Sequence, residues 1–154
     1  MIIFILKICK EDIIMDKFKQ IRPIVLGIAK NNNRILVSKG YDSVKDSTFY
    51  RSLGGGIEFH ETSQEALKRE FKEEINIDIE VGEFCGIAEN IFTFQGKKGH
   101  EIVFFYNIKI KDEDYKEVYP MIDDDGEDVA IWVDIDDFKS GKKILYPEEI
   151  FKYL

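Results

Sequence analysis

Residues 54–77 read Gly54-Gly-Gly-Ile-Glu-Phe-His-Glu-Thr-Ser-Gln-Glu-Ala-Leu-Lys-Arg-Glu-Phe-Lys-Glu-Glu-Ile-Asn-Ile77. The second half has the period of a helix from Ser63 to about Ile75, because Leu67, Phe71 and Ile75 recur every fourth position and form one core-facing stripe. Thr62 or Glu61 stands where such a helix begins, and Asn76 where a left-handed cap ends it. With Arg69 at 0° and about 100° per residue, Glu73 falls near 40°, Glu70 near 100° and Glu74 near 140°. Three carboxylates therefore share a face, while Lys68 and Lys72 lie on the opposite side. Glu65 with Lys68 or Arg69 fits an ordinary solvated flank. Glu70, Glu73 and Glu74 fit it poorly, since like charges one and four positions apart repel unless a cation sits among them. Hard oxygen donors of this kind suit Mg²⁺ or Mn²⁺, bound together with water and phosphate oxygens. Gly54, Gly55 and Gly56 let the backbone approach a ligand or ion closely, although a glycine triplet alone marks no more than a turn.

The flanking segments set this helix against strands. Residues 23–29 and 34–38 read as two strands, joined as a hairpin through Asn31-Asn-Asn33, whose residues tolerate left-handed turns. Residues 42–47 form a polar loop, and residues 49–53 a short strand entering the glycines. Beyond the helix, strands are expected over residues 77–81, 84–94 and 101–110, the last two joined through Gln95-Gly-Lys-Lys-Gly99. The final third offers a strand over residues 130–134 and a closing helix over 147–154, with Pro147 suited to a first turn. With no repeat or Pro/Ser-rich linker, the expectation is one α/β domain, a mixed β-sheet between helices.

A chain of 154 residues buries roughly 68–70% of its unfolded surface, enough for a core without staples. Its apolar and aromatic content excludes disorder. Two cysteines, Cys9 and Cys85, cannot build a disulfide framework or a four-ligand zinc site, which points to a reducing cytoplasm. Met1-Ile-Ile-Phe-Ile-Leu6 stops at Lys7, too short for a membrane span or a signal core. Met15 opens a more conventional polar start, so residues 1–14 stand as a candidate extension ahead of a functional unit over residues 15–154. Net charge is −8. Residues 117–138 carry nine acids and no Lys or Arg, which leaves the rest at 22 − 21 = +1. Neither duplex nucleic acid nor an anionic membrane fits as partner, because both take a basic face. The run Asp123-Asp-Asp-Gly-Glu-Asp128 reads first as a solvated loop, with a divalent-cation role as the lesser reading.

Gly55, five residues, Glu61, seven residues, then Arg69-Glu70-Phe71-x-Glu73-Glu74-x-Asn76-Ile77 resembles the Nudix box, G-x5-E-x7-R-E-U-x-E-E-x-G-U with U apolar. The one fixed position that departs is the last glycine, here Asn76, the next-best residue for a left-handed cap. His60 also departs, since many members have glycine there, a change that bears on loop shape. Phe49 to Phe59, Glu89-Asn-Ile-Phe92 and Gly99-His-Glu-Ile-Val-Phe104 look like small bacterial Nudix hydrolases, and the resemblance spans most of residues 20–154. It implies a Nudix-type α/β/α sandwich.

The resemblance further implies hydrolysis of the diphosphate of a nucleoside diphosphate linked to another group, or of a nucleoside triphosphate, with Mg²⁺ or Mn²⁺. By position Glu73 and Glu74 would be the main metal ligands, helped by Glu70 and the carbonyl near Gly55. Glu70 is the first choice for the base, and Arg69 would hold a box carboxylate, Glu61 or Glu70. Glu101, starting a strand after a glycine loop, is the candidate to complete the metal shell. Arg51 before the glycines is a candidate phosphate contact, and Glu58 could join the shell or buttress the loop. Gly54, Gly55 and Gly56 would line the substrate. His100 and His60 read as structural, and Trp132 as core rather than a stacking platform. Two other readings stay open: a catalytically silent domain sensing a nucleotide or binding a protein, and an RNA 5′-end pyrophosphohydrolase. The acid cluster argues against the first, and the missing basic stripe against the second. Substrate choice lies in loops that spacing cannot read, residues 42–47, 95–99 and 111–127. A homodimer is compatible with the sequence and not required by it.

Overall fold

The computed structural model describes residues 19–122 and 128–154. In chain order these form β1 (Ile21–Asn31), β2 (Arg34–Asp42), β3 (Ser47–Ser52), β4 (Gly54–Gly56), α1 (Ser63–Ile75), β5 (Ile79–Phe94), β6 (Lys97–Ile110), a 3₁₀ turn (Asp112–Asp114), β7 (Val118–Pro120), β8 (Val129–Asp134), α2 (Ile135–Lys139), β9 (Leu145–Tyr146) and a closing 3₁₀ helix (Glu148–Tyr153). Residues 24–29 of β1 are buried on both faces, as befits the strand that joins the two halves of the sheet. One edge of β1 runs parallel to β6, from Ile21 opposite His100 to Ala29 opposite Ile108. The other edge holds the glycine strand β4 antiparallel, Ile24 opposite Gly56 and Leu26 opposite Gly54. Only Lys30 and Asn31 pair with β2, so the hairpin opens at once and sends β2, β3, β8 and β9 into the second half. Parallel β1–β6 and β3–β9 pairings among antiparallel ones make the sheet mixed.

Core packing places α1. Leu67 and Phe71 are fully buried, against Val25 and Ala29 of β1. A side chain at Gly27 would come within 2.8 Å of the Phe71 ring, so the helix lies directly on the β1 backbone. On the other face Phe138 of α2 and Ile150 of the closing helix pack over Leu26, Ile28 and Phe105, which completes the helix–sheet–helix layering. Local chemistry fixes both ends of α1. Thr62 and Glu65 form a capping box, and Asn76 turns left-handed at φ 56° while its N–H bonds the Lys72 carbonyl. Replacing Asn76 by Ala forces an ordinary residue into that geometry and is expected to cost about 1 kcal/mol in urea titrations, whereas Asn76→Gly leaves the midpoint equal or higher.

Several elements differ in extent from the sequence expectation: β1 and β2 run longer than residues 23–29 and 34–38, and the short strands β4 and β7 were not expected. The strands expected over 77–81 and 84–94 are one strand, β5, because irregular pairing between Val81 and Gly86 absorbs the extra residues without ending it. The connection to β6 narrows to Gln95 and Gly96, both at positive φ (52° and 74°), the geometry of a tight two-residue hairpin. Glu101 therefore sits inside β6 rather than at its start. The closing helix is 3₁₀ over Glu148–Tyr153, with Pro147 just ahead of it, and α2 is a further short helix. The acidic run over residues 123–127 lies outside the described residues. Among the described residues no helix is long and apolar enough to cross a membrane.

Candidate active site

The antiparallel pairing of β4 with β1 lays the three glycines along one flank of α1. A Cβ built on Gly55 would lie 2.4 Å from the carboxyl carbon of Glu70, so the space a side chain would fill holds that carboxylate instead. Gly54, at φ 139°, has Val25 O only 2.1 Å from any Cβ, which restricts the position to glycine. Its N–H donates to Glu74 Oε2 at 3.2 Å.

Arg69 ties the acids together. Nη2 donates to the Gly56 carbonyl at 2.9 Å and to Glu61 Oε1 at 2.6 Å, and Nε reaches Glu61 Oε2 at 3.1 Å, a bidentate grip. Nη1 donates to Glu70 Oε1 at 3.0 Å and to Glu73 Oε2 at 3.1 Å. These bonds and the neighbouring carboxylate charges hold the guanidinium firmly protonated. Hydrogen bonding from Arg69, with help from the Glu58 N–H, holds the Glu61 carboxyl below the usual range. Glu74 shows the opposite shift. Half-buried, it is pushed up to about 7, chiefly by desolvation and further by Glu70 and Glu73, against the favourable Gly54 N–H and Arg51 charge.

The helix face read from the sequence thus exists, with its members held differently. Glu70 is packed in, 16% of its side chain exposed, whereas Glu73 is 60% exposed and turned toward Arg69. Among the described residues no three acidic, histidine or cysteine side chains already surround one point closely enough to cage an ion. Rotating the exposed Glu73 off Arg69 is the least costly adjustment that brings it toward Glu70 and Glu74. The donor set nevertheless suits Mg²⁺ or Mn²⁺: it is all oxygen, it includes a carboxylate, Glu74, whose ionisation is resisted chiefly by desolvation and further by its acidic neighbours, and Gly55 leaves room for the Glu70 carboxylate against the backbone.

A family model of the NUDIX domain matches residues 20–154. The chain belongs to the Nudix family. Solved Nudix structures share the fold: a NUDIX hydrolase from Nitrosomonas europaea at 16% identity, covering 86% of this chain and 85% of that one with a TM-score of 0.59. A MutT NUDIX hydrolase from Burkholderia pseudomallei aligns at 18% identity, 77% and 86% coverage and TM-score 0.57. The mutator MutT protein from Bacillus halodurans aligns at 17%, 86% and 80%, also with 0.57.

Around the Nudix box, Glu101 is only 3% exposed and meets Arg51 Nη2 at 3.5 Å and Asn90 Nδ2 at 3.4 Å, both long contacts. The charge of Arg51 also favours the ionised form of Glu74, against the burial that opposes it. Asn90 escaped the sequence reading. Its signal is a polar residue at an inward position of β5, between buried Ala88 and half-buried Phe92. Glu58 points outward, 72% exposed, with Arg69 Nη1 4.0 Å away, while its N–H donates to Glu61. Its backbone buttresses the loop more than its carboxylate serves the cluster. His60 adopts a left-handed φ of 73°, the conformation glycine would take without strain. His100 bonds Glu89 at 2.7 Å, and Trp132 stacks on Tyr115 and donates to the Lys116 carbonyl.

Proposed function

We propose that this Nudix protein hydrolyses the P–O–P linkage of a small nucleotide derivative, a nucleoside diphosphate joined to another group or a nucleoside triphosphate, by attack of water on phosphorus. Glu70, Glu73 and Glu74, the Gly55 carbonyl and Glu101 are the groups that would hold Mg²⁺ or Mn²⁺. Such a cation offsets phosphate charge, orients the diphosphate and lowers the pKa of bound water. Arg69 keeps Glu70 and Glu73 at the glycine strand, anchored through Glu61 and the Gly56 carbonyl. Its bond to Glu70 runs to Oε1, and Oε2 is the atom assigned to take the water's proton. Arg51 exchanges its long contact with Glu101 for a substrate phosphate oxygen.

The observation that carries this reading is the set of box carboxylates gathered on a backbone that only glycine can build. A module that merely binds protein has no use for it. The acidic balance disfavours long RNA, duplex nucleic acid and anionic membranes, and the two-cysteine composition and a small nucleotide substrate both fit a cytoplasmic protein. Purified protein with Mg²⁺ is expected to release a mononucleotide from at least one member of a panel of nucleoside triphosphates, nucleotide sugars and dinucleoside polyphosphates, and excess chelator is expected to abolish this. No turnover across the panel, together with tight binding of one member, would establish a silent sensor instead.

A further inference from the structure

Between the two halves of the sheet stand four aromatic rings that belong to neither buried cluster: Phe49 of β3, Phe92 and Phe94 of β5, and Tyr146 of β9. Phe49 meets Phe94 edge-on across the halves, 5.8 Å between centroids, and is backed by Tyr146 at 5.7 Å. Strand alternation puts Phe49 on the face of β3 that carries Arg51, and Phe92 and Phe94 on the face of β5 that carries Asn90. Both rows therefore start at the polar end of the candidate site and run outward, with Phe49 about 7 Å beyond Arg51 and Phe92 about 7 Å beyond Asn90. At their outer ends the rows are tied together. Asp42, 3% exposed, accepts from the Val44 and Lys45 N–H groups of the β2–β3 turn at 3.0 and 3.1 Å, and from the Gln95 N–H of the β5–β6 turn at 3.3 Å. Lys45 Nζ donates to the Thr93 carbonyl and Gln95 Nε2 to the Tyr41 carbonyl, so the two hairpin tips hold the rows facing each other.

We infer that Phe49, Phe92 and Phe94 seat the base of the nucleotide and read its face rather than its edge. This deepens the proposed reaction and rests on it for the placing of a phosphate at Arg51. With a phosphate there, the next unit along the rows is the sugar, and the base after it arrives at the rings. A side chain at Gly40 would come within 2.4 Å of the Phe49 ring, and one at Gly99 within 2.3 Å of the Phe92 ring. Gly40 and Gly99 are also the residues paired with Phe49 and Phe92 across the strands. Each ring therefore rests on bare backbone, and its strand partner offers no side chain to hydrogen-bond a base edge. Nearby, Asn90 is engaged with Glu101, and the Asp42 carboxylate with its three N–H donors. Stacking of this kind tolerates any base, because every base has a π-face, and a purine buries more area than a pyrimidine. The chain is accordingly base-tolerant, with purines ahead.

Calorimetric titration of AMP, GMP, CMP, UMP and ribose 5-phosphate into the full chain in saturating Mg²⁺ tests this by binding, apart from turnover. Each mononucleotide is expected to bind about tenfold or more tightly than ribose 5-phosphate, with the four within about tenfold of one another and the purines tightest. Phe49→Leu and Phe92→Leu are each expected to cut that advantage about threefold or more and to leave the ribose 5-phosphate Kd unchanged. Equal affinity for AMP and ribose 5-phosphate in wild type would overturn the inference, as would an advantage that survives in both variants. Loss of ribose 5-phosphate affinity by the same factor as AMP would also overturn it, leaving the rings to packing alone. A spread above about a hundredfold among the four bases would contradict reading by the face. Ring-dependent binding of AMP in a chain that hydrolyses no member of the nucleotide panel would sink the proposed reaction and leave the base seat standing.

Discussion

Glu74→Gln is expected to lower kcat about 10³-fold at pH 8 in saturating Mg²⁺ while leaving the fold at least as stable as wild type. The loss follows from removing an anionic ligand from the proposed cation site, where several kcal/mol of charge stabilisation are at stake and each 1.36 kcal/mol is a factor of ten. The stability effect follows from the environment of Glu74. Its carboxyl is pushed from 4.5 up to about 7, so the folded chain binds a proton there that the unfolded chain releases sooner. Stability from this group is therefore complete below pH 4.5 and falls as pH rises to about 7, by at most about 3 kcal/mol. A neutral Gln escapes that loss, and its side-chain oxygen can still accept from the Gly54 N–H. Urea titrations should show the variant ahead of wild type at pH 8 and level with it near pH 4.5. Mg²⁺ should close the gap at pH 8 by raising wild type alone. A variant that is inactive and also much less stable at pH 8 would make Glu74 a structural residue.

Arg69→Lys, conservative in charge, is expected to cost about 2–3 kcal/mol and to lower kcat by two orders of magnitude. A guanidinium can serve Glu61 twice, Glu70, Glu73 and the Gly56 carbonyl at once because its donors form a planar fork. An ammonium on a flexible stem reaches a subset, leaving the packed Glu70 and Glu61 in mutual repulsion. The Glu61 carboxyl is held low by Arg69, so this contribution is present above the ordinary carboxylate range and fades as pH drops through the folded value. The difference between wild type and Arg69→Lys should shrink in acid, measured by denaturant midpoints across pH. A constant difference would place the cost in packing of the side chain rather than in the carboxylates it joins.

The features legible in the sequence are those whose causes are local. The helix start at Thr62 or Glu61, the left-handed Asn76 and the four-residue period of Leu67, Phe71 and Ile75 each depend on neighbours within one or two turns, and the structure puts the start at Thr62 and the end at Asn76. The shared face of Glu70, Glu73 and Glu74 was legible for the same reason, whereas Glu61 or Glu70 as the partner of Arg69 came from the resemblance to the Nudix box, and the structure joins Arg69 to both and to Glu73 as well. Tertiary facts were not. A strand of three glycines has no side-chain pattern, so its pairing with β1 and the nesting of Glu70 over Gly55 emerge only from the assembled sheet. The continuity of β5 depends on pairing that tolerates its bulge. The burial of Glu101 and its contact with Asn90 depend on residues eleven positions apart being brought together across the β5–β6 hairpin.

The central claim is that the box carboxylates, gathered by Arg69 on the glycine strand, hold a divalent cation against a diphosphate. Crystals grown with Mn²⁺ and a non-hydrolysable diphosphate analogue test it directly, because the anomalous signal of the metal locates it without reference to activity. The account predicts a peak about 2.0–2.2 Å from oxygens of Glu70, Glu73 and Glu74, with Glu73 rotated away from Arg69 and analogue oxygens completing the shell. Clear density for the analogue with no anomalous peak at these carboxylates, or with Glu73 still bonded to Arg69 and the metal elsewhere, would contradict it.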